Sequence, residues 1–460
     1  MSEAPGVWKP TRKHIINLVL FLASIFSVSA FLPHTFNNNL TETLGSFIVV
    51  SSCYLVLFLF LLHFRPEILE VSRKTFFIIL TIFIFTAITS IVVVYGQNLS
   101  LLIIPFAIIS VVIHTFYDAR LALFILLITL MLCGFIVPDP FEFIFINFIS
   151  GLVAIFSLTN IYRRGKIFFS SLVITISYSV IYFGISIMKS GSVATVEWSD
   201  YLYFIINGFL VLLSYPLIFL FEKKFYFLSN NTLIELSDTN QPLLRKFASE
   251  APGSFQHARQ VAILAEEAAR EVGANPLLAR AGALYHDIGK TVNSSYFIEN
   301  QNAVLSPHDE LDPLESSKHI INHVQEGVLL ARKYKLPVQI IDFIRTHHGT
   351  TKAYFFYKKF LKSSVTSDES AKAFDYHGPK PFSKELAIVM MADAVEAASR
   401  TLDNYTEDSI SQLVERILFI QEQDNQFSDA PLTFKDISDI KMALKKGLTN
   451  IYHSRISYPE

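Results

Sequence analysis

Eight long apolar runs fill the first half of the chain and restrict what it can fold into. Several of these runs contain no charged residue at all. A helix of about 20 mostly apolar residues is long enough to span a bilayer. One buried helix of a soluble protein could explain a single run, but eight in succession predict a polytopic membrane region. The runs cover residues 15–32, 46–63, 75–95, 101–117, 121–137, 143–161, 167–188 and 203–221.

The loops between these runs orient the predicted spans. Positive residues favour the cytoplasmic side of a membrane. Lys and Arg residues occur before the first run and after the second, fourth, sixth and eighth runs. The loops after the first, third, fifth and seventh runs contain a single Lys or Arg, which is Lys189. We therefore predict eight spans in the cytoplasmic (inner) membrane, with both termini in the cytoplasm. The alternating set comprises Lys9, Arg12, Lys13, Arg65, Arg73, Lys74, Arg120, Arg163, Arg164, Lys166, Lys223 and Lys224.

The first run has a second interpretation. Basic residues, an apolar stretch and the small residues Val28-Ser29-Ala30 also resemble a signal peptide. Cleavage there would leave seven spans and an external N-terminus. The C-terminal half would face the cytoplasm in either case.

The composition changes after residue 222. The chain as a whole is 52% hydrophobic and 17% charged, but its second half is rich in Glu, Lys, Asp and Ala. We predict a transmembrane region over residues 1–225, a linker over 226–250 and a soluble domain over 251–460. The net charge of −2 averages two unlike halves and gives no reason to expect a polymeric nucleic acid as partner. Cys53 and Cys133 lie in apolar runs, so neither a disulfide framework nor a cysteine zinc site is expected.

Local signals in the second half predict an all-α domain. Ser254 is expected to cap a helix with apolar residues at helical spacing, which Gly273 ends. Asn275-Pro276 predicts the start of the next helix. Ser383 is expected to cap a later helix that contains Asp393. The segment shows no extended alternation of the kind that predicts strands.

Histidines and acids provide the chemistry of this domain. Nine of the 13 histidines follow residue 250. His286-Asp287 places an imidazole beside a carboxylate at a predicted helix end, and His347-His348 places two imidazoles side by side. Asp393 lies in an apolar helix, where an unpaired carboxylate is costly. A single histidine of this kind more often packs in a core, but the set supplies the ligands that divalent metals prefer. Two metals would allow a bridging carboxylate and a bridging hydroxide.

Four short strings resemble a known family. They are HDIGK at 286–290, FIENQ at 297–301, HHGTT at 347–351 and GPKP at 378–381, preceded by a similar approach over 233–257. With these strings the chain resembles the membrane-bound HD phosphohydrolases with a seven-helix membrane region. Characterised members of that family hydrolyse cyclic di-AMP.

The resemblance implies a set of metal ligands in the order His, His-Asp, His, His-His, Asp. It also implies that Asp287 bridges two divalent ions, of manganese or iron. Spacing alone leaves His319 and His323 open as the fourth ligand, because they lie one helical turn apart. The family pattern HV-x-x-G, with Gly327 as its glycine, favours His323. The matched positions are His257, His286, Asp287, His323, His347, His348 and Asp393.

The function implied is that of a membrane-anchored metal-dependent phosphodiesterase that converts cyclic di-AMP to the linear dinucleotide. Asp287 and Lys290 are the expected catalytic residues, and Lys290 and Lys380 are expected to bind the substrate. One alternative is a signalling protein that keeps the metal site but turns over weakly. Another is a transporter or receptor, although no charge lies centrally in a predicted span. A homodimer, the native metal, the cyclic dinucleotide and the signal sensed by the membrane region stay open.

The sequence departs from the family pattern in two places. Only about 13 residues, 33–45, separate the first two runs, so no large ectodomain is expected between them. The segment FDYHGPKP replaces the family's FRYPGPKP, with Asp375 for Arg and His377 for Pro. These two changes leave substrate choice open.

Overall fold

The computed structural model describes residues 12–32, 40–96, 99–158, 165–301, 306–363 and 371–452. Over these ranges the predicted all-α fold is confirmed, because helices and turns account for them apart from one isolated bridge between Lys352 and Asp375. The chain divides into two compact units, Met1–Ser229 and Asn230–Glu460. The domain boundaries given above stay predictions.

The helices of the first unit follow the apolar runs. Six of them, α1, α2, α4, α7, α8 and α9, are long and apolar enough to cross a membrane, and the chain is a membrane protein. The helices are α1 (Arg12–Phe31), α2 (Leu40–Phe64), α3 (Pro66–Leu69), α4 (Ser72–Tyr95), α5 (Ala107–Phe116), α6 (Ala119–Gly134), α7 (Pro140–Ser157), α8 (Gly165–Ser190) and α9 (Tyr201–Phe225).

Two of the predicted spans correspond to shorter helices, α5 with 10 residues and α6 with 16. The residue before a proline avoids the helical region, and Ile104, which precedes Pro105, is extended. Helix α5 therefore cannot begin before Pro105. The count of eight spans and their orientation stay predictions. Lys9, Arg163 and Arg164, on which part of the orientation rests, lie outside the described residues, as does segment 33–39 between the first two runs.

The second unit is built around α12. The buried face of this helix is rich in alanine, including Ala258, Ala262 and Ala265, and it packs against α13, α17 and α19. The small side chains let these neighbours approach closely. The helices are α10 (Asn230–Leu236), α11 (Pro242–Glu250), α12 (Pro252–Glu271), α13 (Pro276–Tyr285), α14 (Pro313–Lys333), α15 (Val338–Thr346), α16 (Tyr354–Ser363), α17 (Lys384–Ser399), α18 (Glu407–Gln423) and α19 (Phe434–Tyr452).

The predicted helix caps have different outcomes. Asn275 caps α13 by accepting from two backbone N–H groups, and Ser383 caps α17, as predicted. The cap predicted at Ser254 is wrong, because α12 begins at Pro252 and the Ser254 hydroxyl donates to Glu299 instead. The side-chain oxygen of Asn300 accepts from the N–H groups of Gly253 and Ser254, at 2.9 and 3.1 Å. A distant loop thus takes over the capping role.

Close backbone packing fixes the turn that follows α13. Residues Ile288–Thr291 form a 3₁₀ turn that packs against α14. A Cβ atom on Gly289 would lie 1.8 Å from the carbonyl oxygen of His323 and 2.6 Å from the amide nitrogen of Gly327. Only glycine permits this approach, which holds α14 and His323 against the turn.

We predict that Gly289→Ala destabilises the protein, because the added methyl group meets backbone atoms that cannot rotate away. Overpacking of this kind costs about 1–3 kcal/mol of unfolding free energy. The unfolding temperature of the detergent-solubilised protein should fall by about 2–4 °C per kcal/mol. Gly447→Ala is the matched control, since its Cβ would meet only the Leu264 side chain. Equal unfolding temperatures for the two variants would contradict this role of Gly289.

The second unit should also fold without the first. We expect a fragment of residues 230–460 to remain soluble without detergent, because its helices bury their apolar faces within the unit. Circular dichroism should show a helical spectrum and a single cooperative thermal transition. A fragment that aggregates, or that melts without cooperativity, would show that the unit depends on the membrane region.

Candidate metal centre

Five helices bring the seven predicted ligands to one place. His257 lies on α12, His323 on α14 and Asp393 on α17. His286 and His347 are the residues that directly follow α13 and α15, and each is followed by a further predicted ligand, Asp287 or His348. Apart from the partly exposed His348, these residues are buried.

Six of the side chains form two separate groups of three, and a third group, His286, Asp287 and His347, overlaps both. In one group, ligand atoms of His257, His286 and Asp393 all lie within 4.8 Å of one another. The other group meets the same criterion and consists of His323, His347 and His348. Each group presents three donors to a common point, which is the arrangement that holds a divalent ion.

The carboxylate of Asp287 lies between the two groups. Its Oδ2 atom is 3.3 Å from Nε2 of His286 and 3.8 Å from Nε2 of His257. Its Oδ1 atom is 3.3 Å from Nε2 of His323 and 3.5 Å from Nε2 of His347. Each oxygen of one carboxylate therefore faces one group.

Backbone carbonyls orient three of the imidazoles. Nδ1 of His286, His323 and His347 lies 2.6, 2.6 and 2.8 Å from the carbonyl oxygen of the residue three positions earlier. A carbonyl oxygen can only accept, so Nδ1 carries the proton and donates. Nε2 then faces the centre, and once it is deprotonated its lone pair is available to a metal, as in a metal-ligating histidine.

Two buried atoms at the centre make no hydrogen bond. They are Nε2 of His286 and Oδ1 of Asp287. Leaving such an atom unpaired costs about 1–3 kcal/mol. A divalent cation in each group would satisfy these two atoms, so the donor set fits metal binding.

The electrostatics of the two groups differ. Burial disfavours a charged imidazole, yet the carboxylates of Asp287 and Asp393 outweigh it and raise the pKa of His286 to about 10. In the other group, burial and the neighbouring rings of His347 and His323 hold the pKa of His348 well below its ordinary value. Burial opposes ionisation of Asp287 as well, but Lys290 and His286 hold its pKa well below the usual range.

Lys290 is held between two carboxylates. Its ammonium lies 2.7 Å from Oδ2 of Asp287 and 3.0 Å from Oε1 of Glu299, and its side chain is 13% exposed. Glu299 also accepts from the Ser254 hydroxyl at 2.6 Å. The FIENQ segment therefore fixes Lys290 next to the predicted bridging carboxylate.

The other two candidates from the sequence lie elsewhere. His319 is exposed and stacks on Tyr296, with ring centroids 4.3 Å apart. The ammonium of Lys380 donates to the carbonyl oxygen of Asn425 at 2.8 Å. Neither residue belongs to the two groups, whereas His323 does.

Two residues near the centre were missed by sequence reasoning. Tyr376 is buried, and its ring centroid lies 4.1 Å from that of His348. Glu396 is completely buried and hydrogen-bonds to Nδ1 of His257. Glu396 could have been found, because it follows Asp393 by three positions and so lies on the same helix face. Nothing in the sequence places Tyr376 on His348.

A cavity of about 660 Å³ opens beside the centre. His257, His347, His348 and Asp393 form part of its wall. The wall also combines basic and apolar side chains, among them Lys352, Lys358, Arg400, Ile298, Ile417 and Ile420. The cavity thus gives a small molecule access to both groups.

Asp375, one of the two family departures, pairs with Lys352. The pair brings a negative charge next to a basic residue of the cavity wall. His377 is exposed and does not line this cavity.

Two family models match the chain. The model described as "7TM receptor with intracellular HD hydrolase" matches residues 40–229, and the HD domain model matches residues 254–398. An HD domain implies the binding of divalent metal, in agreement with the two groups described above.

Relatives resemble the chain over much of its length. It is 34% identical over 445 residues to the cyclic-di-AMP phosphodiesterase PgpH of Bacillus subtilis (strain 168), an alignment that covers 92% of this chain and 61% of that protein. It is 35% identical over 314 residues to the protein of the same name from Listeria monocytogenes serotype 1/2a (strain 10403S), covering 68% and 44%. The chain therefore spans less than two thirds of the length of these curated relatives.

A solved structure of the Listeria monocytogenes PgpH HD domain in complex with cyclic-di-AMP is 39% identical, with a TM-score of 0.45. The match covers 47% of the chain described here and 100% of the chain in that solved structure. One family-model match falls within each compact unit, so the chain is similar to 7TM receptors with an intracellular HD hydrolase in the first unit and to HD domains in the second.

Proposed function

We propose that this protein is a two-metal phosphodiesterase that hydrolyses cyclic di-AMP to the linear dinucleotide. The observation that carries the proposal is the Asp287 carboxylate, whose two oxygens face two separate groups of three donors. The names of the relatives supply the substrate, since both are cyclic-di-AMP phosphodiesterases. The HD domain would act on the cytoplasmic side of the cytoplasmic membrane.

The ligand roles follow from the two groups. His257, His286 and Asp393 would hold one ion, and His323, His347 and His348 the other, with Asp287 shared between them. Imidazole and carboxylate donors suit manganese and iron. When bound, two such ions supply a hydroxide nucleophile near neutral pH and positive charge for the phosphate oxygens.

The cavity suits a dinucleotide with two phosphates. Lys352, Lys358 and Arg400 place basic groups around it, which favours anionic ligands. The apolar residues Ile298 and Ile420 provide surfaces against which purine faces can pack. Because Asp375 compensates Lys352 and Glu396 compensates Arg400, we expect Lys358 to contribute more to phosphate affinity than either of them.

The two lysines singled out by sequence have different support. Lys290 reaches both the cavity wall and Asp287, so we propose that it holds the bridging carboxylate in place and adds positive charge beside the phosphate. Lys380 is engaged by a backbone carbonyl and does not line the cavity. Its role in substrate binding stays a prediction, as does a homodimer.

Hydrolysis by the purified full-length protein tests the function. With manganese, we expect cyclic di-AMP to be converted to the linear dinucleotide, detected by chromatography. Asp287→Ala should remove both most of the metal and more activity than the roughly 10- to 100-fold lost with an outer-shell residue. The reason is that its loss leaves both ions without their shared negative charge.

Asp408→Ala, a change of the same kind on the exposed start of α18, should leave metal content and rate unchanged. Retention of a tenth of the normal rate by Asp287→Ala would rule out the bridging role. A wild-type protein that binds two metals but hydrolyses no cyclic dinucleotide would favour a signalling protein with a retained metal site.

His319 and His323 form a matched pair on α14. His323→Ala should lose metal and activity together, because the buried His323 faces Asp287 and its lone pair has no substitute. His319→Ala should keep its metal, since His319 is exposed and stacks on Tyr296.

Metal content and rate should be measured at saturating and at limiting manganese, so that weakened affinity is detected. If His319→Ala lost its metal and His323→Ala kept it, the family pattern would be misplaced by one helical turn.

A further inference from the structure

His257 is held differently from the other imidazoles whose orientation is described above. Backbone carbonyls accept from Nδ1 of His286, His323 and His347. Nδ1 of His257 instead faces the side-chain carboxylate of Glu396. The orientation of this one ring therefore depends on a residue that can be changed without altering the backbone.

Glu396 lies behind His257 in the interior. Its side chain is 0% exposed, and it follows Asp393 by three positions on α17, so both carboxylates face the same ring. Nε2 of His257 lies 2.8 Å from Oδ1 of Asp393, on the opposite edge of the imidazole. One helix therefore places a carboxylate at each of the two ring nitrogens of His257.

Arg400 compensates the charge of Glu396. Its Nε lies 3.1 and 3.2 Å from the two carboxylate oxygens of Glu396, and its Nη2 lies 2.8 Å from Oε1. A buried carboxylate needs such a partner, because an uncompensated charge in the interior costs several kcal/mol. Arg400 also forms part of the cavity wall, so it reaches from solvent to the interior.

We infer that Glu396 is a positioning residue for the ion held by His257, His286 and Asp393. By accepting from Nδ1, Glu396 directs the Nε2 lone pair of His257 toward that ion. A carboxylate also makes the imidazole a better electron donor than a neutral carbonyl does. Arg400 keeps the carboxylate in place. The inference rests on the proposed two-metal centre and goes beyond it, because it predicts that the two ions respond differently to one substitution.

Metal binding by the other group, His323, His347 and His348, should not depend on Glu396. His323 and His347 are oriented by the carbonyl oxygens of Ile320 and Ile344. Glu396 makes no contact with these rings among the described interactions of the second unit. Loss of Glu396 should therefore weaken one ion position and spare the other.

The test compares Glu396→Leu and Glu396→Gln with the wild type, all as full-length protein in detergent. Manganese binding is titrated by calorimetry and by electron paramagnetic resonance, which separates paired from isolated ions. In Glu396→Leu we expect one ion to bind with wild-type affinity and the other about 10- to 100-fold more weakly. At limiting manganese, the resonance spectrum of Glu396→Leu should show isolated manganese ions in place of the paired ions of the wild type. Glu396→Gln keeps an acceptor for Nδ1 of His257, so the manganese affinity of that ion position should fall by less than tenfold.

Glu407→Gln, the same chemical change at an exposed position of α18, is the control and should bind both ions as the wild type does. If Glu396→Leu fails to fold, as its unfolding temperature would show, Glu396→Gln carries the test, with weakening of one ion alone expected. Unchanged affinities, or equal weakening of both ions, would overturn the positioning role. A wild-type protein that binds fewer than two ions would instead refute the proposed metal centre, and the inference with it.

Discussion

The ionised carboxylate of Asp287 is buried at the point where five helices meet, and the second unit is organised around it. Placing a bare carboxylate in an interior costs several kcal/mol unless positive partners surround it. The Lys290 ammonium is one such partner, 2.7 Å from Oδ2, and four imidazoles with Nε2 within 4 Å of the carboxylate would hold the cations that supply the rest. Close packing elsewhere in the unit brings these side chains together. Gly289 lets its turn lie against the backbone of α14, and the alanine face of α12 lets the neighbouring helices approach it closely.

The two ion positions that we propose share Asp287 would not be equivalent. One is made with a second carboxylate, Asp393, and with His257, whose ring is backed by Glu396. The other consists of three imidazoles without an acid of its own. More negative charge generally means tighter binding of a cation, and more competition from protons. The first position should therefore be the more tightly filled and the more sensitive to acid, while the second should be the first to empty during purification.

The features that could be predicted from the sequence are those formed by residues close together along the chain, such as helix caps and adjacent ligand pairs. The pair His286-Asp287 lies at a helix end, and Asn275 and Ser383 cap their helices, as expected. Contacts between distant segments could not be read in this way. The cap of α12 comes from Asn300, 46 residues beyond Ser254, and helical spacing could not separate His319 from His323 because both lie on neighbouring turns of one helix. Their burial depends on what packs against α14. The short helix α5 is a different case, because Pro105 lies within the apolar run itself and sets where the helix can begin.

The Asn300 cap links the folding of two parts of the second unit. The amide hydrogens of Gly253 and Ser254 bond to a side chain of the loop that also holds Glu299, which in turn binds Lys290. If that loop undocks, the first turn of α12 loses its cap, and Lys290 loses one of its two anions. Local opening of the loop and fraying of the helix that carries His257 therefore belong to one cooperative event. The exchange of those two amide hydrogens with deuterium would report how often the loop leaves its place, even though the loop is far from them along the chain.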